Sequence, residues 1–216
     1  ILEEIGVTFR DKIALEQWRQ VGAEVQGDRV RFSRDLIMEL ISSIPDQITL
    51  HARDPEKTVQ LGGDHSITLG LLRAYRAHYQ KPLAVLHFDA HCDTWDTHFD
   101  EPSGHGTWVY EAMQERLVDA QSFVQIGIRS AGERAAREYV SDQGGLIYTA
   151  RDLRGLESES QLAGVIASVR ERLTAKGLPV YLSFDIDCLD PAFAPGTGTP
   201  EVGGMSTNQV FTLLEM

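Results

Sequence analysis

The sequence predicts an α/β fold in which a three-layer arrangement sets a parallel sheet between helices on both faces, preceded by a small α+β segment. Three stretches, LAVLHF (83–88), SFVQIGIRS (122–130) and PVYLSF (179–184), are apolar over most of their length, as strands covered on both faces are. Amphipathic stretches of helical period stand between them, the alternation that winds a chain into parallel strands joined by crossover helices. Acidic residues bunch directly after the first and last of these strands, where ligands of open α/β sheets gather.

Taken in order, Ala14, Leu15, Trp18 and Val21 recur at helical spacing, Gly22 ends that helix, and AEVQGDRVRF reads as a hairpin about Gly27 and Asp28. Ser33 caps a second helix, Arg34 to about Ser43, which Pro45 closes before the strand-like ITLHAR. Residues 1–61 form one segment with no chemical constellation, His51 reading as a lone surface or packing histidine. Residues 62–216 form the second. In it, Ile67 to Tyr79 is a helix that feeds LAVLHF after the break at Lys81 and Pro82. A helix over 132–140, a strand in GLIYTA and a long helix from about Ser158 to Ala175 complete the alternation before PVYLSF.

The chemistry sits after the strands. Asp89, His91 and Asp93 follow LAVLHF at alternate positions, and extended backbone would aim all three to one side. Asp185 and Asp187 follow PVYLSF, and LGGDHS places His65 after a glycine pair and before a helix. Four carboxylates match the charge of two divalent cations, and oxygen and imidazole donors without thiolate favour manganese or magnesium over structural zinc. The two cysteines, Cys92 and Cys188, each adjoin a candidate ligand. Their spacing suits a reduced intracellular protein, with Cys92 turned away as a small buried filler.

With 216 residues, 42% hydrophobic and 24% charged, the chain can build one sizeable core. A net charge of −12 argues against a nucleic-acid partner. No apolar run approaches the roughly 20 residues of a membrane span, and no leader pattern is present, so a cytoplasmic protein is expected. The start at Ile1 and the stop at Met216 inside VFTLLEM give the expectation that both ends are cut.

GGDHS, DAHCD and SFDIDCLDPAFAPGTGTPEVGG resemble the three metal-binding signatures of the ureohydrolase family, which includes arginases and agmatinases. The resemblance runs from about residue 62 onward and implies an arginase-like sheet, truncated here at the carboxyl end. It implies two manganese ions, one held by His65, Asp89, Asp93 and Asp185 and the other by His91, Asp89, Asp185 and Asp187, with Asp89 and Asp185 bridging. Two such ions, about 3.5–4 Å apart, lower the pKa of water for attack on a guanidinium carbon. His105, between Gly104 and Gly106 in PSGHGTW, then serves as the catalytic histidine beside Asp89.

Arginases of that family grip an amino-acid carboxylate from a loop with asparagine and serine ahead of the histidine. Against them, the shorter, acidic DEPSGHGTW implies agmatine, giving putrescine and urea, with guanidinobutyrate the alternative substrate. The resemblance also implies a homo-oligomer in the intact family member. Asp64 and Asp190 are expected to orient ligands, and Asp96, Asp100 and Glu101 to be solvated. Residues 1–63 separately resemble the amino-terminal region of the trimethylamine methyltransferase family, through EEIGV, VGAEVQGDRVRF and HARDPEKTVQLGG. That implies a chimera joined at the LGG of 61–63. It leaves corrinoid-dependent methyl transfer, or a catalytically silent metal-binding subunit, as alternatives to the hydrolase.

Overall fold

The structure, a computed structural model, describes residues 3–42, 65–97 and 102–215. The chain divides into two compact units, Ile1–Gln60 and Leu61–Met216. No helix among the described residues is long and apolar enough to cross a membrane.

The first unit contains β1 (Val7–Thr8), α1 (Lys12–Gln20), β2 (Glu24–Gln26), β3 (Arg29–Arg31) and α2 (Arg34–Ser42), with an antiparallel sheet in the order β1-β3-β2. Asp11 starts α1 by accepting from the Ile13 amide at 2.9 Å, and Ser33 Oγ accepts from the Leu36 amide at 3.2 Å ahead of α2. The hairpin between β2 and β3 turns at Gly27, whose φ of +63° suits a residue without Cβ. Leu15, Val30 and Phe32 form a small core, with Trp18 edge-on to Phe32 at 4.8 Å between centroids. The strand β1 was not expected, since two residues carry no readable period. ITLHAR, His51 and Asp64 lie outside the described residues.

The second unit runs α3 (Ser66–Tyr79), β4 (Leu83–Phe88), α4 (Trp108–Gln114), β5 (Val118–Ile128), α5 (Arg134–Asp142), β6 (Leu146–Thr149), α6 (Glu159–Thr174), β7 (Val180–Phe184) and α7 (Thr207–Leu214). Its four strands are parallel, in the order β6-β5-β4-β7. The alternation of strand side chains sorts β4 between two cores. Ala84, Leu86 and Phe88 pack with Leu162, Val169 and Leu173 of α6 and with Val210 and Leu213 of α7. Leu83 and Val85 pack instead with Leu69 and Leu72 of α3, Trp108, Val109 and Ala112 of α4, and Val140 of α5. Each fully buried large side chain contributes about 1.5–3 kcal/mol, so six buried residues in six place β4 at the centre.

β7 pairs with β4 and, among the described residues, with no other strand. Its Val180, Leu182 and Phe184, on the α6 face, remain 51%, 49% and 37% exposed. Three elements depart from the sequence expectation. β5 begins at Val118, because polar Asp119 and Gln121 mask its amino end. α4 has only seven residues and follows a glycine-rich turn. α7 opens with a capping box, Ser206 with Gln209, a signal present in the sequence as S-x-x-Q.

Candidate metal centre

β4 and β7 are neighbours, and Phe88 pairs with Phe184, so the next residue of each strand, Asp89 and Asp185, leaves the sheet beside the other. The Asp185 amide donates to the Phe88 carbonyl at 2.9 Å and fixes that alignment. Ile186–Cys188 then forms one 3₁₀ turn that folds Asp187 back, and its amide donates to Asp185 Oδ1 at 3.0 Å. His65 enters from the start of α3.

The alternation expected for Asp89, His91 and Asp93 does not hold, because β4 ends at Phe88. Beyond it the backbone turns. The His91 amide donates to Asp89 Oδ1 at 2.6 Å, the Ala90 amide donates to Asp187 Oδ1 at 3.1 Å, and Asp93 takes a left-handed φ of +53°. Aspartate is one of the few side chains that tolerate this region. The turn, not the pleat, gathers the three groups.

Gathered they are. His65 Nδ1 lies 3.0 Å from Asp89 Oδ2, 3.1 Å from Asp93 Oδ2 and 3.3 Å from Asp185 Oδ2. His91 Nδ1 lies 3.3 Å from Asp89 Oδ1 and 3.1 Å from Asp187 Oδ2. Two groups of ligand atoms result, His65, His87, Asp89 and Asp93 in one and Asp89, His91 and Asp187 in the other, with Asp89 common to both.

The donor set fits cations. One ring nitrogen carries at most one proton, yet three carboxylate oxygens, which only accept, surround His65 Nδ1. Like charges 4 Å apart repel by about 4 kcal/mol at an effective dielectric of 20. Even with His65 and His91 both protonated, the four carboxylates outnumber them. Burial works to lower the His65 pKa, but hydrogen bonds to Asp89 and Asp93 carry it up to about 10. Burial likewise opposes His91, and Asp187 and Asp89 carry it to about 10. Burial raises Asp93 and Asp185, reinforced by the charge of Asp89. Asp89 itself is held well below the usual range: burial would raise it, but bonds from His65, His87 and His91 prevail. The side chains therefore draw protons into the places where divalent ions would stand. Oxygen donors with imidazole and no thiolate suit a divalent cation such as manganese or magnesium.

Residues 6–216 match the arginase family profile. The chain belongs to the arginase family. It is 43% identical over 175 residues to the agmatinase of Photorhabdus laumondii subsp. laumondii, covering 78% of this chain and 51% of that protein. It is 44% identical over 163 residues to the agmatinase of Proteus mirabilis, covering 74% and 47%. Among solved structures, a hypothetical agmatinase from Burkholderia thailandensis aligns with a TM-score of 0.59 at 40% identity over 71% of this chain and 44% of that one. The proclavaminate amidino hydrolase of Streptomyces clavuligerus aligns at 0.62 and 40% identity, over 71% and 49%. The chain spans about half the length of the curated relatives it matches.

In this arginase-family chain further side chains hold the gathered ones in place. Ser183 Oγ lies 2.8 Å from His65 Nε2, Trp108 Nε1 donates to Asp93 Oδ2 at 2.7 Å, and Thr199 Oγ1 donates to Asp187 Oδ2 at 3.0 Å. Arg129 donates to the carbonyls of Asp187, Cys188, Leu189 and Glu201 at 2.6–3.2 Å, fastening the 187–190 turn to the 201 region. Asp190 accepts from the amides of Ala192, Gly203 and Gly204 and ties the same loop. Sequence reasoning missed most of these. His87 and Ser183 share the strand parity of Asp89 and Asp185, which was a usable signal, whereas Trp108 and Arg129 offered none without α4 and β5. Cys92 and Cys188 are both buried and unbridged, and burial pushes the Cys188 thiol up. His105 is exposed in the turn ahead of α4, outside the two gathered groups, and Asp96 is exposed. Asp100 and Glu101 lie outside the described residues.

Proposed function

We propose that this chain carries the metal centre of a binuclear manganese guanidino hydrolase whose reaction converts agmatine and water to putrescine and urea. The sharing of Asp89 between two groups, through Oδ2 beside His65 and Oδ1 beside His91, is the observation that supports a paired rather than a single ion. Similarity to proteins named agmatinase favours agmatine as the substrate, as does the acidic segment 100–108.

When bound, the metal pair supplies Lewis-acid activation of water near neutral pH. His65 and His91 would contribute Nδ1, while Asp93, Asp185 and Asp187 contribute one oxygen each and Asp89 contributes both. Ser183 and Thr199 keep the His65 ring and the Asp187 carboxylate turned inward. Cys92 and Cys188, each next to a ligand in the chain, are buried. We assign His105 to protonate the departing amine, since an unprotonated amine leaves a tetrahedral carbon poorly.

Manganese titration and a urea assay on agmatine, guanidinobutyrate and arginine test the proposal together. Two manganese per chain with urea from agmatine is the expected result. Uptake of two ions with no urea from any of the three, also when the chain is extended to its relatives' full length, would leave a silent metal-binding protein and end the hydrolase reading.

A further inference from the structure

We infer that His87 is not a ligand of the centre but the residue that positions Asp89, donating to it from Nε2 in a tautomer imposed by Gln125. The inference rests on reading the cluster as a metal centre. Position alone does not separate the two roles, because His87 Nε2 lies 2.8 Å from Asp89 Oδ2, inside the group of potential ligand atoms. The far side of the ring separates them.

His87 and Gln125 are register partners on β4 and β5, and both are fully buried. The Gln125 amide nitrogen lies 2.8 Å from the Cys92 carbonyl and 3.1 Å from His87 Nδ1. A carbonyl oxygen only accepts, so turning the amide over would press two oxygens together. The nitrogen is therefore fixed toward Cys92, and its second hydrogen faces His87 Nδ1, which must accept. The amide keeps this orientation although it leaves Gln125 Oε1 buried with no hydrogen-bond partner among the described residues. Burying an acceptor unpaired costs stability, and the cost makes sense if the amide is retained for its two hydrogens.

With Nδ1 accepting, the ring proton resides on Nε2 and points at Asp89 Oδ2. Both ring nitrogens are then committed, and neither lone pair is left for an ion. His65 and His91 differ, since each turns Nδ1 toward several carboxylates at once. The ring is held by aromatic edges as well, with Trp108 at 4.8 Å and Phe123 at 6.4 Å between centroids. Asp89 thus receives His87 on Oδ2 and the His91 amide on Oδ1, which sets the carboxylate plane before any ion arrives. Outer donors of this kind orient metal ligands and stiffen their grip.

Nitrogen NMR of the metal-free protein labelled in its histidines reads the tautomer directly and needs no variant. An unprotonated Nδ1 and a protonated Nε2 on His87 are expected, while the reverse tautomer, or a proton on both, would overturn the inference. His87→Phe keeps the aromatic contacts and removes the donor, and manganese titration should show affinity lowered about 10–100-fold. His87→Gln, whose amide nitrogen can replace Nε2, should recover most of that loss. Wild-type affinity in His87→Phe, or equal losses in the two variants, would refute the positioning role. Failure of the wild-type protein to take up manganese would instead remove the metal-centre reading, and the NMR result would still decide the tautomer.

Discussion

Phe88 and Phe184 stand opposite one another in register on neighbouring parallel strands, and the next residue of each is an aspartate of the centre. The spacing of Asp89 and Asp185 is thus a property of the sheet, set by backbone bonds well inside the core. A register slip of one residue would separate them and turn every β7 side chain to the other face.

Asp89→Asn removes one negative charge from both groups at once. It should weaken both manganese ions together, whereas Cys92→Ala should leave metal content near that of the wild type. Metal analysis after dialysis checks both, and two tightly held ions in Asp89→Asn would contradict the sharing of that carboxylate.

The metal-free protein should lose stability as pH rises. His65 and His91 have ordinary values of 6.5 and are carried to about 10 in the folded state. Their contribution is fully present below pH 6.5 and is lost as pH rises through about 10, because the unfolded chain binds fewer protons in that window. Melting temperatures of metal-free protein between pH 6 and pH 10, with about 6 and about 10 bracketing the window, should fall. His65→Ala should flatten the decline. Manganese affinity should climb over the same range as the imidazoles give up their protons.

Trp108→Phe preserves the ring contacts and deletes the Nε1 donor to Asp93 Oδ2. His65 Nδ1 still stands 3.1 Å from that oxygen, so the loss is that of one hydrogen bond, about 0.5–1.5 kcal/mol. Urea denaturation of the metal-free protein should show a loss of that size, and an unchanged midpoint would mean the bond contributes nothing net.

Arg129→Met leaves several turn carbonyls without their guanidinium. Arg129 is only partly buried, and denaturation should show a loss of about 1–3 kcal/mol. Amide exchange should quicken over 187–190, and a uniform change across the sheet would point to a different cause.

Much of the sheet was legible because burial on both faces strips polar residues from LAVLHF and leaves an unbroken apolar run. α4 was not, since seven residues after a glycine-rich turn carry less than two full periods. The six side chains named from the sequence do meet in one place, although the pleat reasoning for 89–93 was the wrong cause. Strand alternation ends where the last ladder bond ends, and from there local amide-to-carboxylate bonds direct the chain. His87 was passed over because a histidine inside an apolar run looks like packing. Its pairing with Gln125 across the ladder becomes visible only when β5 is set beside β4.

The pairing of β7 with β4 has a consequence for how the centre behaves in time. Asp185 and Asp187 follow β7 while Asp89, His91 and Asp93 follow β4, so any local parting of these two strands opens the ligand cage. Loading with manganese should therefore slow hydrogen exchange of the amides that join Val180–Phe184 to β4, and departure of the ions should be coupled to the opening of that pair of strands.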